Sequence, residues 1–103
     1  MSDGTVYVLH IEPAYQHARH YVGFTDAASA DERVAEHLAG HGSPLVRAAL
    51  AAGHAVELAT SWPGSRTDER RVKRAGGHGH RVCPRCRPRH LAGRKARREA
   101  AMR

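Results

Sequence analysis

The sequence predicts an α/β fold in which a small antiparallel three-stranded sheet is flanked by helices, in the order β-β-α-α-β-α. Two segments rich in β-branched and aromatic residues open the chain, two helical segments with clear start and stop signals follow, and an alternating strand precedes a charged helix. These segments are residues 5–11, 19–24, 29–42, 43–53, 55–62 and 65–75. A chain of 103 residues suits one small domain, placed at residues 1–86 and followed by a basic, flexible tail at 87–103.

The first strand, residues 5–11 (TVYVLHI), is apolar at nearly every position, which predicts a central strand covered on both faces. The polar segment 12–18 contains a proline and suits a hairpin loop, so residues 19–24 return as an antiparallel second strand. The third strand, residues 55–62, alternates between polar and apolar positions, which predicts one buried face. That face consists of Val56, Leu58, Thr60 and Trp62.

The first helix is predicted to begin under Ser29, an N-cap residue with Glu32 at capping-box spacing, and to stop at Gly40 or Gly42. Arg33 and His37 are four residues apart, so they lie side by side along one edge of the apolar stripe of this helix. The stripe consists of Ala30, Val34 and Leu38.

The second helix has the clearest boundaries in the chain. Ser43 is its N-cap, Pro44 takes the first helical position and Gly53 ends it. The third helix is charged, begins at Ser65 or Thr67, and is halted by a pair of glycines at 76–77.

The net charge of +7 arises at the carboxyl end. Residues 1–84 contain nine basic and nine acidic residues, whereas residues 85–103 contain eight basic residues and one acid. Such a tail predicts salt-sensitive contact with nucleic-acid phosphates, and the alternative is a solubilising end without a partner. The candidate DNA-contacting residues of the tail are Arg94, Lys95, Arg97 and Arg98.

The chain contains no run of about 18 apolar residues, and its amino terminus lacks the pattern of a secretory signal. We therefore expect a cytoplasmic protein that does not interact with a membrane.

Two cysteines, Cys83 and Cys86, have a spacing that in a reducing compartment indicates a metal or free thiols rather than a disulfide. With two of His78, His80 and His90 they can complete a four-ligand Zn²⁺ site. The alternative is that both thiols are free and pack the end of the domain as small hydrophobic groups.

An ordered set of chemically active residues runs along these predicted elements. It consists of Tyr7, the triplet Tyr21-Val22-Gly23, Arg33, His37, the pair Gly42-Ser43 and Glu69. In this order and on these element types, the set resembles the GIY-YIG nuclease family over residues 5–86. The chain departs from the family at its first triplet, which reads Thr5-Val6-Tyr7 instead of Gly-Ile-Tyr, and it contains no asparagine, which some members use near the end of the domain.

The resemblance implies a DNA endonuclease that uses one divalent metal, Mg²⁺ or Mn²⁺. It implies Glu69 as the metal ligand and, more weakly, Ser43 and Lys73 as groups that contact phosphate. The role of the missing asparagine is unfilled or falls to His78 or His80. The implied catalytic residues are Tyr7, Tyr21, Arg33, His37 and Glu69.

The chemistry of phosphodiester hydrolysis suits these residue types. It needs an activated water and a cation against the charge that develops on the phosphate. Tyr7 is the candidate general base or water-orienting group, with Tyr21 holding the water or phosphate, and the planar guanidinium of Arg33 matches phosphate oxygens. A single carboxylate, Glu69, suffices for Mg²⁺, and Gly23 leaves room for the substrate backbone to approach the sheet.

Two other functions stay open at this point. One is a non-catalytic nucleic-acid-binding protein that uses the basic tail and the Cys/His segment. The other is a structural zinc adaptor that binds another protein. For the nuclease, targeting by a partner protein, targeting by DNA shape and the absence of any targeting all stay open.

Overall fold

The computed structural model describes residues 3–75, 81–87 and 100. Their elements follow the predicted order, and the predicted α/β class is confirmed, with a three-stranded antiparallel sheet and three helices. The elements are β1 (Gly4–Tyr15), β2 (Ala18–Thr25), α1 (Asp31–Leu38), α2 (Pro44–Ala51), β3 (Ala55–Gly64) and α3 (Arg66–Arg74). No helix in these ranges is long and apolar enough to cross a membrane.

The first strand is central, as its composition predicts. The sheet order is β2-β1-β3, and β1 is buried at every position from Gly4 to Ile11. It continues to Tyr15, four residues past the predicted end, so the hairpin loop is shorter than the predicted segment 12–18.

Side chains that alternate along β1 pack into two separate cores. Tyr7, Leu9 and Ile11 belong to a cluster that includes Val34 of α1 and Val46 of α2. The intervening residues belong to a second cluster with Phe24 of β2, Trp62 of β3, Val72 of α3 and Val82, and these β1 residues are Val6 and Val8. Both faces of β1 are therefore covered, which is why its sequence lacks a polar face.

The predicted single buried face of β3 is wrong at Leu58, which is 38% exposed. The register of β3 against β1 shifts, because Val8 pairs with Thr60 whereas Leu9 pairs with Leu58. One extra residue, Ala59, reverses the faces, so Val56 lies in the first core while Trp62 packs against the second.

The start of α1 also differs from its prediction. The N-cap position is Ala30, which makes no side-chain cap, and the Ser29 hydroxyl accepts only the N–H of Asp31. Leu38 is 45% exposed and His37 is fully buried in its place. A helix of eight residues therefore turns its histidine, and not its last leucine, toward the sheet.

The predicted boundaries of α2 are confirmed. Ser43 caps it by accepting the N–H of Leu45, and Gly53 lies beyond its end with a φ of 87°. In α3, Ser65 and Asp68 form a reciprocal capping box, which decides between the two predicted starts. The glycines at 76–77 and residues 88–99 of the predicted tail lie outside the described residues.

Candidate active site

The two motif tyrosines lie on the same face of adjacent strands. Leu9 of β1 pairs with Tyr21 of β2, and Tyr7 pairs with Gly23. The side chain of Tyr7 is almost completely buried, and the ring centroids of the two tyrosines are 6.4 Å apart.

His37 of α1 completes a group of three rings. Its ring centroid is 5.8 Å from that of Tyr7 and 5.1 Å from that of Tyr21. The hydroxyl oxygen of Tyr7 is 2.7 Å from His37 Nε2. We call Tyr7, Tyr21 and His37 the ring cluster.

Hydrogen bonding assigns the tautomer of His37. Its Nδ1 accepts the backbone N–H of Ser43 at 3.0 Å, so in the neutral imidazole Nε2 carries the proton. Nε2–H therefore donates to the Tyr7 oxygen. The phenol keeps its own O–H to donate elsewhere, which directs that proton away from the histidine.

Two glycines leave the space that the ring cluster occupies. A Cβ at Gly23 would lie 2.4 Å from the Tyr7 hydroxyl oxygen, and a Cβ at Gly42 would lie 2.1 Å from His37 Nδ1. Glycine at position 23 is thus required by the Tyr7 ring itself. Room for a substrate backbone beside Gly23 stays a prediction.

Arg33 lies at the edge of the ring cluster, and its Nη1 donates to Glu36 at 2.6 Å. The pKa of Arg33 is raised, first by that hydrogen bond and further by its interaction with Tyr7. The guanidinium is therefore held charged next to the phenol.

Two charged residues of α3, Glu69 and Lys73, lie near the two tyrosines. Glu69 is buried, and its Oε1 lies 3.6 Å from Lys73 Nζ, which is itself 5.9 Å from the ring centroid of Tyr21. The charge of Glu69 contributes to the raised pKa of Tyr7.

The surroundings of Tyr7 and His37 keep both side chains neutral. Burial and the neighbouring Tyr21 raise the pKa of Tyr7 to about 12, and the interaction with Arg33 only partly offsets this. Burial, followed by the positive charge of Arg33, lowers the pKa of His37. At neutral pH the pair is a phenol that accepts a hydrogen bond from an uncharged imidazole.

The structure thus brings Tyr7, Tyr21 and His37 into contact and places Arg33 and Glu69 within electrostatic reach of Tyr7. The backbone N–H of Ser43 contacts the histidine, a role that the sequence does not indicate. The sequence pattern includes Gly42 but does not indicate that it leaves space for the His37 ring. Cys83 and Cys86 are buried and free of a disulfide.

Several predicted residues lie outside the part of the chain that the structure describes. They are the zinc-ligand candidates His78, His80 and His90, and the tail residues Arg94, Lys95, Arg97 and Arg98.

Comparison of the chain with protein-family models, with curated proteins and with solved structures identified no match.

Proposed function

We propose that this chain is a metal-dependent DNA endonuclease of the GIY-YIG type, which hydrolyses phosphodiester bonds. The observation that supports this best is the 2.7 Å contact between the Tyr7 hydroxyl and a neutral His37, with Tyr21, Arg33 and Glu69 around it. These five residues come from four different elements, and a purely structural explanation would need a separate reason for each.

Tyr7 is the group that handles the proton of the attacking water. The N–H of His37 stabilises negative charge on the Tyr7 oxygen, and Arg33 acts in the same direction. As a phenolate, Tyr7 accepts a proton from water. As a phenol, it orients the water or a phosphate oxygen with its own O–H.

Arg33 and Tyr21 bind the phosphate. Arg33 presents a charged planar donor group on α1, and its ion pair with Glu36 is made by one nitrogen, Nη1. The hydroxyl of Tyr21 is directed by strand pairing to the same face as Tyr7. Lys73 adds a second cation beside Tyr21.

Glu69 fits the requirement for a hard oxygen ligand. Its carboxylate is buried beside the cluster, and its separation of 3.6 Å from Lys73 Nζ is longer than a direct hydrogen bond. When bound there, Mg²⁺ or Mn²⁺ supplies positive charge that lowers the pKa of Tyr7 and stabilises charge on the phosphate.

The test is nicking of supercoiled plasmid by the full chain in Mg²⁺. Glu69→Ala should reduce nicking roughly 100-fold or more and leave DNA retention in a gel largely intact. Glu32→Ala removes an exposed glutamate of α1 and serves as the matched control, with wild-type nicking expected. Nicking that survives Glu69→Ala removes Glu69 from the mechanism.

A non-catalytic nucleic-acid-binding protein is the second candidate, and one surface favours it. The outer side of α3 carries an exposed group of arginines that line a shallow depression with Thr67, namely Arg70, Arg71 and Arg74. This function is supported over the nuclease if the chain retains DNA with a steep salt dependence and does not nick it in either Mg²⁺ or Mn²⁺.

A further inference from the structure

We propose that His10, His20, Cys83 and Cys86 form a structural Zn²⁺ site on the face of the sheet opposite Tyr7. The donor atoms of these four side chains all lie within 4.8 Å of one another. The two histidines are not those that the sequence suggests as partners of the cysteines. This site is independent of the proposed nuclease function.

The two histidines are brought together by strand pairing. His10 of β1 and His20 of β2 are direct cross-strand partners, and their ring centroids are 5.3 Å apart. Because side chains alternate along β1, His10 shares the face of Val6 and Val8 and points away from Tyr7. The pair thus lies at the end of the second core.

The two cysteines approach this pair on a single tight turn. The N–H groups of Cys86 and Arg87 both donate to the carbonyl of Cys83, at 3.1 and 2.9 Å, which turns both thiols the same way. Arg85, between them, forms an ion pair with Glu57 of β3. Glu57 pairs with His10 across the sheet, so contacts besides the thiols also hold this turn above His10.

The distances match tetrahedral zinc. Cys83 Sγ and Cys86 Sγ are each 3.5 Å from His10 Nδ1. An ion about 2.3 Å from sulfur and about 2.0 Å from nitrogen, with tetrahedral angles, sets those atoms roughly 3.5 Å apart. One imidazole lone pair accepts one S–H well, so two equidistant thiols are better explained by a shared ion.

The tautomer of His10 is also the one that a metal requires. Its Nε2 is 2.8 Å from Glu12 Oε2, so Nε2–H donates to the carboxylate and the Nδ1 lone pair faces the two sulfurs. Arg19 Nη1 donates to the same oxygen at 2.7 Å and holds the carboxylate in place. A carboxylate behind a ligating histidine is the usual support of a zinc ligand.

The ligand set and its burial define the class of site. Two thiolates and two imidazoles suit Zn²⁺ rather than Mg²⁺, and four protein ligands leave no position for a substrate. His10, Cys83 and Cys86 are at most 2% exposed. The site therefore joins the chain at 83–86 to a strand pair more than 60 residues earlier in the sequence.

The first experiment measures metal content. The full chain, made in zinc-supplemented medium and dialysed against Mg²⁺, should retain about one zinc per chain by elemental analysis. Replacement by Co²⁺ should give sulfur-to-cobalt charge-transfer absorption and a tetrahedral ligand-field spectrum. X-ray absorption at the zinc edge should give two sulfur and two nitrogen neighbours.

The second experiment identifies the histidines. His10→Gln and His20→Gln should each weaken zinc binding roughly 10-fold or more in a chelator competition, whereas His78→Gln and His80→Gln should leave it unchanged. If the His78 and His80 variants lose zinc affinity and the His10 and His20 variants keep it, the proposed ligand set is overturned. A wild-type chain that retains no zinc, or whose zinc edge shows no sulfur neighbours, overturns the site without bearing on plasmid nicking.

Discussion

The two faces of β1 carry two clusters of very different construction. The ring cluster is made by residues within the first half of the chain, and hydrogen bonds together with two glycines keep it in place. The Cys/His cluster, which consists of His10, His20, Cys83 and Cys86, joins the first hairpin to residues 83–86, and its sulfur–nitrogen distances fit an ion between them. Steric fit holds the first cluster together, whereas in our proposal coordination of an ion holds the second.

The largest effect is expected from loss of the Tyr7 hydroxyl. Tyr7→Phe removes the atom that we propose to handle the proton of water, so nicking should fall roughly 100-fold or more while zinc content stays at the wild-type level. Tyr15→Phe is the matched control, because Tyr15 packs against the ring of His54 at 5.4 Å, away from the ring cluster. Nicking by Tyr7→Phe at the wild-type rate contradicts the proposed mechanism.

A steric test of the ring cluster comes next in size. Gly42→Ala places a Cβ 2.1 Å from His37 Nδ1, and the resulting overpacking should lower the free energy of unfolding by about 2–3 kcal/mol. Gly40→Ala is the control, since no atom of the described residues lies within 4 Å of the added Cβ, whereas its φ of 84° opposes the change. Backbone strain there costs about 1 kcal/mol. If urea denaturation shows that both variants lose the same free energy of unfolding, Gly42 has no steric role.

The raised pKa of Tyr7 predicts a loss of stability in alkali. In the folded protein the pKa is about 12, against an ordinary value of 10.0, so the stabilisation is fully present below pH 10 and disappears as the pH rises toward 12. The full change amounts to roughly 3 kcal/mol, and about half of it is lost by pH 11. Urea denaturation at pH 8 and pH 11 should show this loss in the wild type and a smaller one in Tyr7→Phe; identical losses contradict it.

The smallest effect tests the support of the Cys/His cluster. Glu12→Gln weakens the hydrogen bond to His10 Nε2, so zinc affinity should fall about 10-fold, with nicking unchanged. Glu32→Gln is the control, because Glu32 is exposed on α1, away from the hairpin and the turn that carry the proposed ligands. If both variants bind zinc equally, Glu12 does not position His10.

Much of the fold follows from local signals in the sequence. The continuous apolar run of β1 and the Ser-Pro start of α2 are sufficient to predict a central strand and a capped helix. The single buried face of β3 was wrongly predicted because a one-residue bulge puts Trp62 on the opposite face from Val56 without leaving a signal in the alternation. Leu38 and His37 exchange roles because the hydroxyl of Tyr7 provides a buried partner for the imidazole.

The candidate sites were predictable to different degrees. Tyr7, Tyr21, Arg33, His37 and Glu69 were identified by their order along the chain, and their proximity depends on how the elements pack. For the Cys/His cluster, the cysteines are visible as a short spacing, but the partner histidines are more than 60 residues away. Proximity in sequence favoured His78 and His80, whereas strand register brings His10 and His20 to the thiols.

The alternation of β1 also limits how this chain can change in length. Tyr7 and His10 are three positions apart, so they point to opposite sides only while the number of residues between them is even. Deleting Leu9 would turn both onto one side and separate one of them from its partners, whichever end of the strand kept its pairing. Point substitutions can therefore alter either chemistry alone, whereas a single-codon deletion between these residues disrupts at least one site and exposes part of the core.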